Sequence, residues 1–283
     1  MVFSSLGDWL GLLATTALAQ QLSGGSYTTA NFAIAGVFIA RLLPAVFLGP
    51  IAGVIADRFD RRKLMVVADI IRAGLYISIP IVQTYFWLYT AMILVECVTL
   101  FWSPAKEASI PNLVGKEKLE SANQVSLLAA YGTAPVAAIL FALLTLFATA
   151  IESLFPFSIG SSVEIALYAN ALSFLFAALT IWGLKEIPKG AAAKKAKDEN
   201  IMKSLHDGWK SVSETKIVRG LVIGMIGAFS AAGAVIGLAR TFVGGLGGGD
   251  AAYGILFGAV FTGLAIGIAF GPKIFAQFSR RRL

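Results

Sequence analysis

The 283-residue chain is 57% hydrophobic and 14% charged, against roughly 25% charged residues in soluble domains. That composition excludes an ordinary soluble globular protein, a disordered chain and a nucleic-acid-binding domain. A net charge of +7 fits the basic loops of a polytopic membrane protein, and a single cysteine, Cys97, excludes an internal disulfide.

Eight apolar stretches are long enough to span a bilayer. Span 1 covers residues 2–21, and span 2 covers 31–56. Span 3 is 64–82 and span 4 is 85–102. Span 5, at 124–151, is longer than a crossing needs and is expected to tilt. Span 6 is 163–184, span 7 is 217–243 and span 8 is 251–274. The first span is not a secretory signal, because it lacks a basic leader and Asp8 interrupts its apolar run.

The connections alternate in charge. Arg58, Arg61, Arg62 and Lys63 follow span 2, and Lys106, Lys116 and Lys118 follow span 4. A lysine-rich segment follows span 6, and Arg280, Arg281 and Arg282 follow span 8. The intervening connections carry no Lys or Arg. The positive-inside rule therefore places both ends of the chain in the cytoplasm.

Residues 185–216 form the long polar connection. It opens as a flexible linker, and Ile201, Leu205, Trp209 and Val212 then recur at helical spacing. This predicts an amphipathic helix on the cytoplasmic membrane surface. It divides the chain into an N-terminal bundle, 1–184, and a second unit, 217–283. Phe59-Asp60-Arg61-Arg62-Lys63-Leu64 after span 2 matches Phe278-Ser279-Arg280-Arg281-Arg282-Leu283 after span 8. That offset of six spans points to a duplicated bundle, with two independent stop-transfer clusters as the other reading. Spans 7 and 8 then restart the pattern of spans 1 and 2, so the chain is expected to be a fragment with a partial second bundle. Its start, seven residues before Asp8, also looks short.

Gly53-Val54-Ile55-Ala56-Asp57-Arg58-Phe59-Asp60-Arg61-Arg62-Lys63 resembles motif A of the major facilitator superfamily, between spans 2 and 3. Asp60 stands where the family has glycine. The run Phe101-Trp102-Ser103-Pro104-Ala105-Lys106-Glu107-Ala108-Ser109-Ile110-Pro111-Asn112 is similar to bacterial enterobactin and macrolide exporters. So are Ser4-Ser5-Leu6-Gly7-Asp8-Trp9 and Gly247-Gly248-Gly249-Asp250. The resemblance implies an all-α membrane protein of the major facilitator fold, with a six-helix N-terminal bundle plus two helices of a second. It implies that Gly53, Asp57, Arg58, Arg61 and Arg62 latch the bundles. Gly132, Ala134 and Pro135 in span 5 resemble the exporter motif C with alanines for glycines. A proline kink among small packing residues is the other reading of that segment.

Asp8, Arg41 and Glu96 lie roughly 15–18 Å along their helices from a membrane boundary, near the middle of a core about 30 Å thick. Ionisable groups at that depth are functional candidates. The family resemblance implies that spans 1 and 4 line the cavity. Asp8 or Glu96 would then take the coupling proton, with Arg41 as counter-charge, or Asp8 and Arg41 would form a structural pair. Asp69 and Arg72 are an i,i+3 pair on span 3, open to pairing with each other or with motif A. Trp9, Tyr76, Tyr89, Phe101 and Trp102 could stack on an aromatic cargo or serve as packing.

No P-loop or nucleophile–base set is present, and no cofactor or metal is expected. The resemblance implies proton-coupled efflux of a drug, macrolide or siderophore across the bacterial cytoplasmic membrane. Its partners are lipid, protons and a small amphipathic substrate. A truncated, non-transporting remnant or a membrane scaffold of the same family is the alternative, and coupled transport is not expected from this fragment alone.

Overall fold

The computed structural model describes residues 2–24, 26–56, 59–154, 161–184, 187, 209–210, 212–246 and 249–275. Its elements are α1 (Val2–Leu22), α2 (Tyr27–Ala56), α3 (Arg61–Val82), α4 (Tyr85–Leu113), a 3-10 turn at Lys116–Lys118, α5 (Leu119–Tyr131), α6 (Thr133–Leu154), α7 (Ser162–Gly183), α8 (Lys216–Gly245) and α9 (Gly249–Phe275). Six stretches among the described residues are long and apolar enough to cross a membrane. Their outer surface carries Phe32, Ile39, Val46, Phe86 and Phe176, all exposed. On a soluble protein such a belt would aggregate, whereas lipid covers it here.

Helix ends follow local chemistry. Asp60 caps α3 by accepting from the Lys63 amide at 3.2 Å. Its backbone is extended, with φ −64°, so the departure from the family glycine demands no left-handed conformation here. Thr84 caps α4 through the Trp87 amide, and Ser161 caps α7 through the Glu164 amide. At the outer ends of α3 and α7, Gln83 donates to the Glu164 carboxylate at 2.8 Å.

Two spans differ from hydropathy. Span 4 runs on as helix to Leu113, through Pro104 and Pro111, because hydropathy marks where lipid ends and not where helix ends. Span 5 is broken into α5 and α6 at Gly132. Pro135 lacks the amide that the Tyr131 carbonyl would receive, which weakens the helix at that turn.

Helix α1 packs against α2, α6 and α7, while α3 packs against α4 and α7, and α2 against α4. The main core joins Leu10, Ala14 and Leu18 of α1 with Tyr76, Met92, Leu167 and Phe174. Gly7 and Gly11, one turn apart, let α1 approach closely. A Cβ at Gly11 would sit 2.5 Å from Asn170 Nδ2 and 2.6 Å from Tyr76 Oη, far inside contact distance. Small residues spaced this way let membrane helices approach closely. Helix α9 packs on α8, α5 and α6. Most of the connection 185–216, including Ile201 and Leu205, lies outside the described residues. Trp209 and Val212 fall in short helical pieces, with Trp209 exposed.

Candidate functional site

Ionisable side chains from four helices meet inside the first bundle. Arg72 on α3 is fully buried and lies at the centre. It forms an ion pair with Asp69 on its own helix, and its second guanidinium nitrogen lies 3.6 Å from the Asp8 carboxylate on α1. Ser4 Oγ is 3.5 Å away and accepts a further hydrogen bond. The Trp102 and Phe174 rings sandwich the guanidinium, with centroids 4.8 and 4.5 Å from Cζ. Such faces attract a cation most strongly where water is excluded. Tyr76 stacks on Phe174 with centroids 5.6 Å apart.

Asp8 differs from Asp69 in access. The Asp69 side chain is fully buried, whereas that of Asp8 is 33% exposed. Arg41 on α2 donates to the backbone carbonyl of Asp8 at 3.5 Å. The nearest cation to the Asp8 carboxylate is therefore Arg72, and Arg41 acts on it from a second position. This corrects the pairing expected from depth alone. Glu96 on α4 lies within electrostatic reach of Arg41 and Asp8. Asp69 and Arg72 pair with each other. The structure thus brings Asp8, Arg41, Asp69, Arg72 and Glu96 into one cluster.

The motif A cations go elsewhere. Arg61 donates to the Ala108 carbonyl near the end of α4 at 2.8 Å. Arg62 donates to the Trp182 carbonyl in the last turn of α7 and lies over the Trp182 ring, 5.2 Å from its centroid. A cation there caps a carbonyl without a helical donor and complements the helix dipole. Asp57 and Arg58 lie outside the described residues, and Gly53 is known only as part of the α2 backbone. At the span 5 break, Ala134 is buried, and a side chain at Gly132 would meet the Leu128 carbonyl oxygen at 2.6 Å and approach Ala265 of α9 to 3.9 Å.

Among the aromatic candidates, Tyr76 and Trp102 are buried around Arg72 and do not present a face to a cargo. Tyr89 donates to the Ala33 carbonyl and stacks on Tyr85. Trp9, next to Asp8, donates to the Ala130 carbonyl at 2.7 Å and meets Phe261 of α9 edge-on. Sequence reading missed Ser4 and Asn170. Tyr76 Oη and Asn170 Nδ2 are buried with no hydrogen-bond partner among the described residues. Their signal was the Gly7–Gly11 spacing, which marks the face of α1 that must meet α3 and α7. A cavity of about 550 Å³ lies apart from the buried charge cluster, lined by Ile110, Leu113, Lys118, Ser121 and Val125 where the end of α4 meets the start of α5.

Buried charges thus lie on several apolar helices, with basic side chains capping helix ends beside them. Residues 1–283 match the transmembrane secretion effector family over the whole chain. The chain belongs to that family of the major facilitator superfamily. The MFS-type transporter YfiS of Bacillus subtilis is 33% identical over 123 residues, 44% of this chain and 28% of that protein. YkuC of the same organism is 28% identical over 197 residues, 64% of this chain and 41% of its own length. Macrolide efflux protein A of Enterococcus faecalis is 37% identical over 82 residues, 27% of this chain and 25% of that one. The matches thus cover well under half of each relative. No solved structure matches the chain. The family and the helices make this a multi-span membrane protein of a transporter family, with efflux proteins among its relatives.

Proposed function

We propose that the chain takes part in proton-coupled efflux of a small amphipathic molecule, of the drug, macrolide or siderophore kind. It sits in the bacterial cytoplasmic membrane with both ends inside. Two bundles, 1–184 and 217–283, joined by 185–216, rock about a mid-membrane site. Arg61 and Arg62, with Gly53, Asp57 and Arg58, brace the cytoplasmic end. Gly132, Ala134 and Pro135 supply a flexible point in span 5.

The observation that carries this reading is the half-open carboxylate of Asp8 among Arg72, Arg41 and Glu96. A permanently paired, sealed carboxylate such as Asp69 has no route for a proton. Asp8 faces Arg72 and keeps about a third of its side chain exposed, the access that a moving proton needs. A cationic or polar cargo entering beside Asp8 and Glu96 would displace the proton, and a returning proton would displace the cargo.

The test is proton release on adding a macrolide to the purified 283-residue chain in weakly buffered detergent, followed with a pH indicator. The unaltered chain should release protons, and the Asp8→Asn, Glu96→Gln double variant should release none. Release that persists in the double variant overturns the assignment. Binding with neither release nor pH-driven flux in vesicles would favour the non-transporting remnant.

A further inference from the structure

Pro272 lies within α9 and has no amide hydrogen. The carbonyl four residues earlier, that of Ile268, therefore lacks its helical donor. In a bilayer such a carbonyl needs a partner from the protein or from an aqueous cavity. Gln124 of α5 supplies one. Its amide Nε2 donates to the Ile268 carbonyl at 3.0 Å and to the Ala269 carbonyl at 3.1 Å.

The same face of α9 makes the other contacts across this boundary. Ala265 faces Gly132, and Phe261 meets Trp9 with ring centroids 4.6 Å apart. Residues 261, 265, 268 and 269 recur at helical spacing, so a single stripe of α9 docks on α1 and α5. Leu264, Ile266 and Phe270 are exposed on the remaining surface.

We propose that Gln124 is a positioning residue of the transport cycle, latching span 5 to span 8 by reading the carbonyl that Pro272 sets free. The proposal rests on the alternating-access reading, in which α9 belongs to the half that rocks against α1–α7. An uncharged amide suits a contact that must open repeatedly. When the halves part, water entering the cleft satisfies both the amide and the carbonyl, so no buried charge is left unpaired. The proline makes the contact specific, because a helix carbonyl with its own amide donor gains less from a second one.

The test uses the full 283-residue chain in lipid nanodiscs with Cys97→Ala and spin labels at Glu117→Cys and Phe270→Cys. Distances between the labels report whether spans 5 and 8 are closed. Gln124→Leu should raise the long-distance population roughly five- to tenfold, as expected for losing one or two hydrogen bonds. Gln124→Asn, polar but too short to reach, should do the same and guards against a folding artefact. In a Pro272→Ala background, which returns an amide to Ile268, Gln124→Leu should change that population less than about twofold. An unchanged distribution, or an equal effect in both backgrounds, overturns the latch. The readout is a distance and not a flux, so failure of proton coupling leaves a distance shift intact and separates the two readings.

Discussion

Replacing Arg72 by Met tests the central claim that this arginine holds α1, α3 and α7 together. Arg72 and Asp69 are both fully exposure-free, and Arg72 also faces Asp8, Ser4, Trp102 and Phe174. Removing one partner of a buried ion pair costs about 3–5 kcal/mol, because the other charge stays buried. At about 2–4 °C per kcal/mol, thermal unfolding of the detergent-solubilised chain should drop by roughly 6–20 °C. Adding Asp69→Leu removes the stranded carboxylate and should recover most of the loss, since apolar replacement of a whole buried pair is often neutral. A single variant as stable as the unaltered chain, or a double variant no better than the single one, would each refute the reasoning.

Three smaller changes read other joints of the fold by the same thermal assay. Gly11→Ala should cost about 1–3 kcal/mol by overpacking against Tyr76 and Asn170, whereas Gly74→Ala, which meets open space, should be neutral or slightly stabilising. Asp60→Ala should cost about 1 kcal/mol by removing the α3 cap, and Asp60→Gly, the family residue, only a few tenths. Trp9→Phe keeps a ring beside Phe261 but removes the donor to the Ala130 carbonyl, an expected loss of about 0.5–1.5 kcal/mol.

Span positions were legible because lipid imposes a coarse demand that hydropathy measures directly. Residues 2–21 against Val2–Leu22 is the clearest case. The break at Gly132 was legible only as the proline-kink reading of Gly132–Pro135, because these residues leave the apolar average of span 5 untouched. Depth was legible too, since a fixed rise per residue puts Asp8, Arg41 and Glu96 in one layer. Azimuth was not. Which cation faces the Asp8 carboxylate depends on how α1 and α3 are rotated about their axes, and the Gly7–Gly11 stripe fixes that rotation by turning α1 onto Tyr76 and Asn170. Arg72, about three turns from the N-terminal end of α3, then reaches Asp8, and Arg41 is left with its backbone carbonyl.

In the proposed cycle the two kinds of contact would divide the work. Inside the first bundle, a buried arginine shared by two carboxylates and two rings cannot be pulled apart without stranding charge, at several kcal/mol. Across the boundary to α9, the contacts include one amide donating to two carbonyls and one edge-on ring pair. Each is worth about 0.5–1.5 kcal/mol, and water can replace the polar ones. A force applied between the halves therefore opens the α9 boundary before it disturbs Arg72. Trp9 touches both the span 5 break and Phe261 while standing next to Asp8. If Asp8 takes the coupling proton as proposed, a change of its charge that shifts α1 against Arg72 would move this indole against that boundary and so carry the proton's effect to the proposed latch.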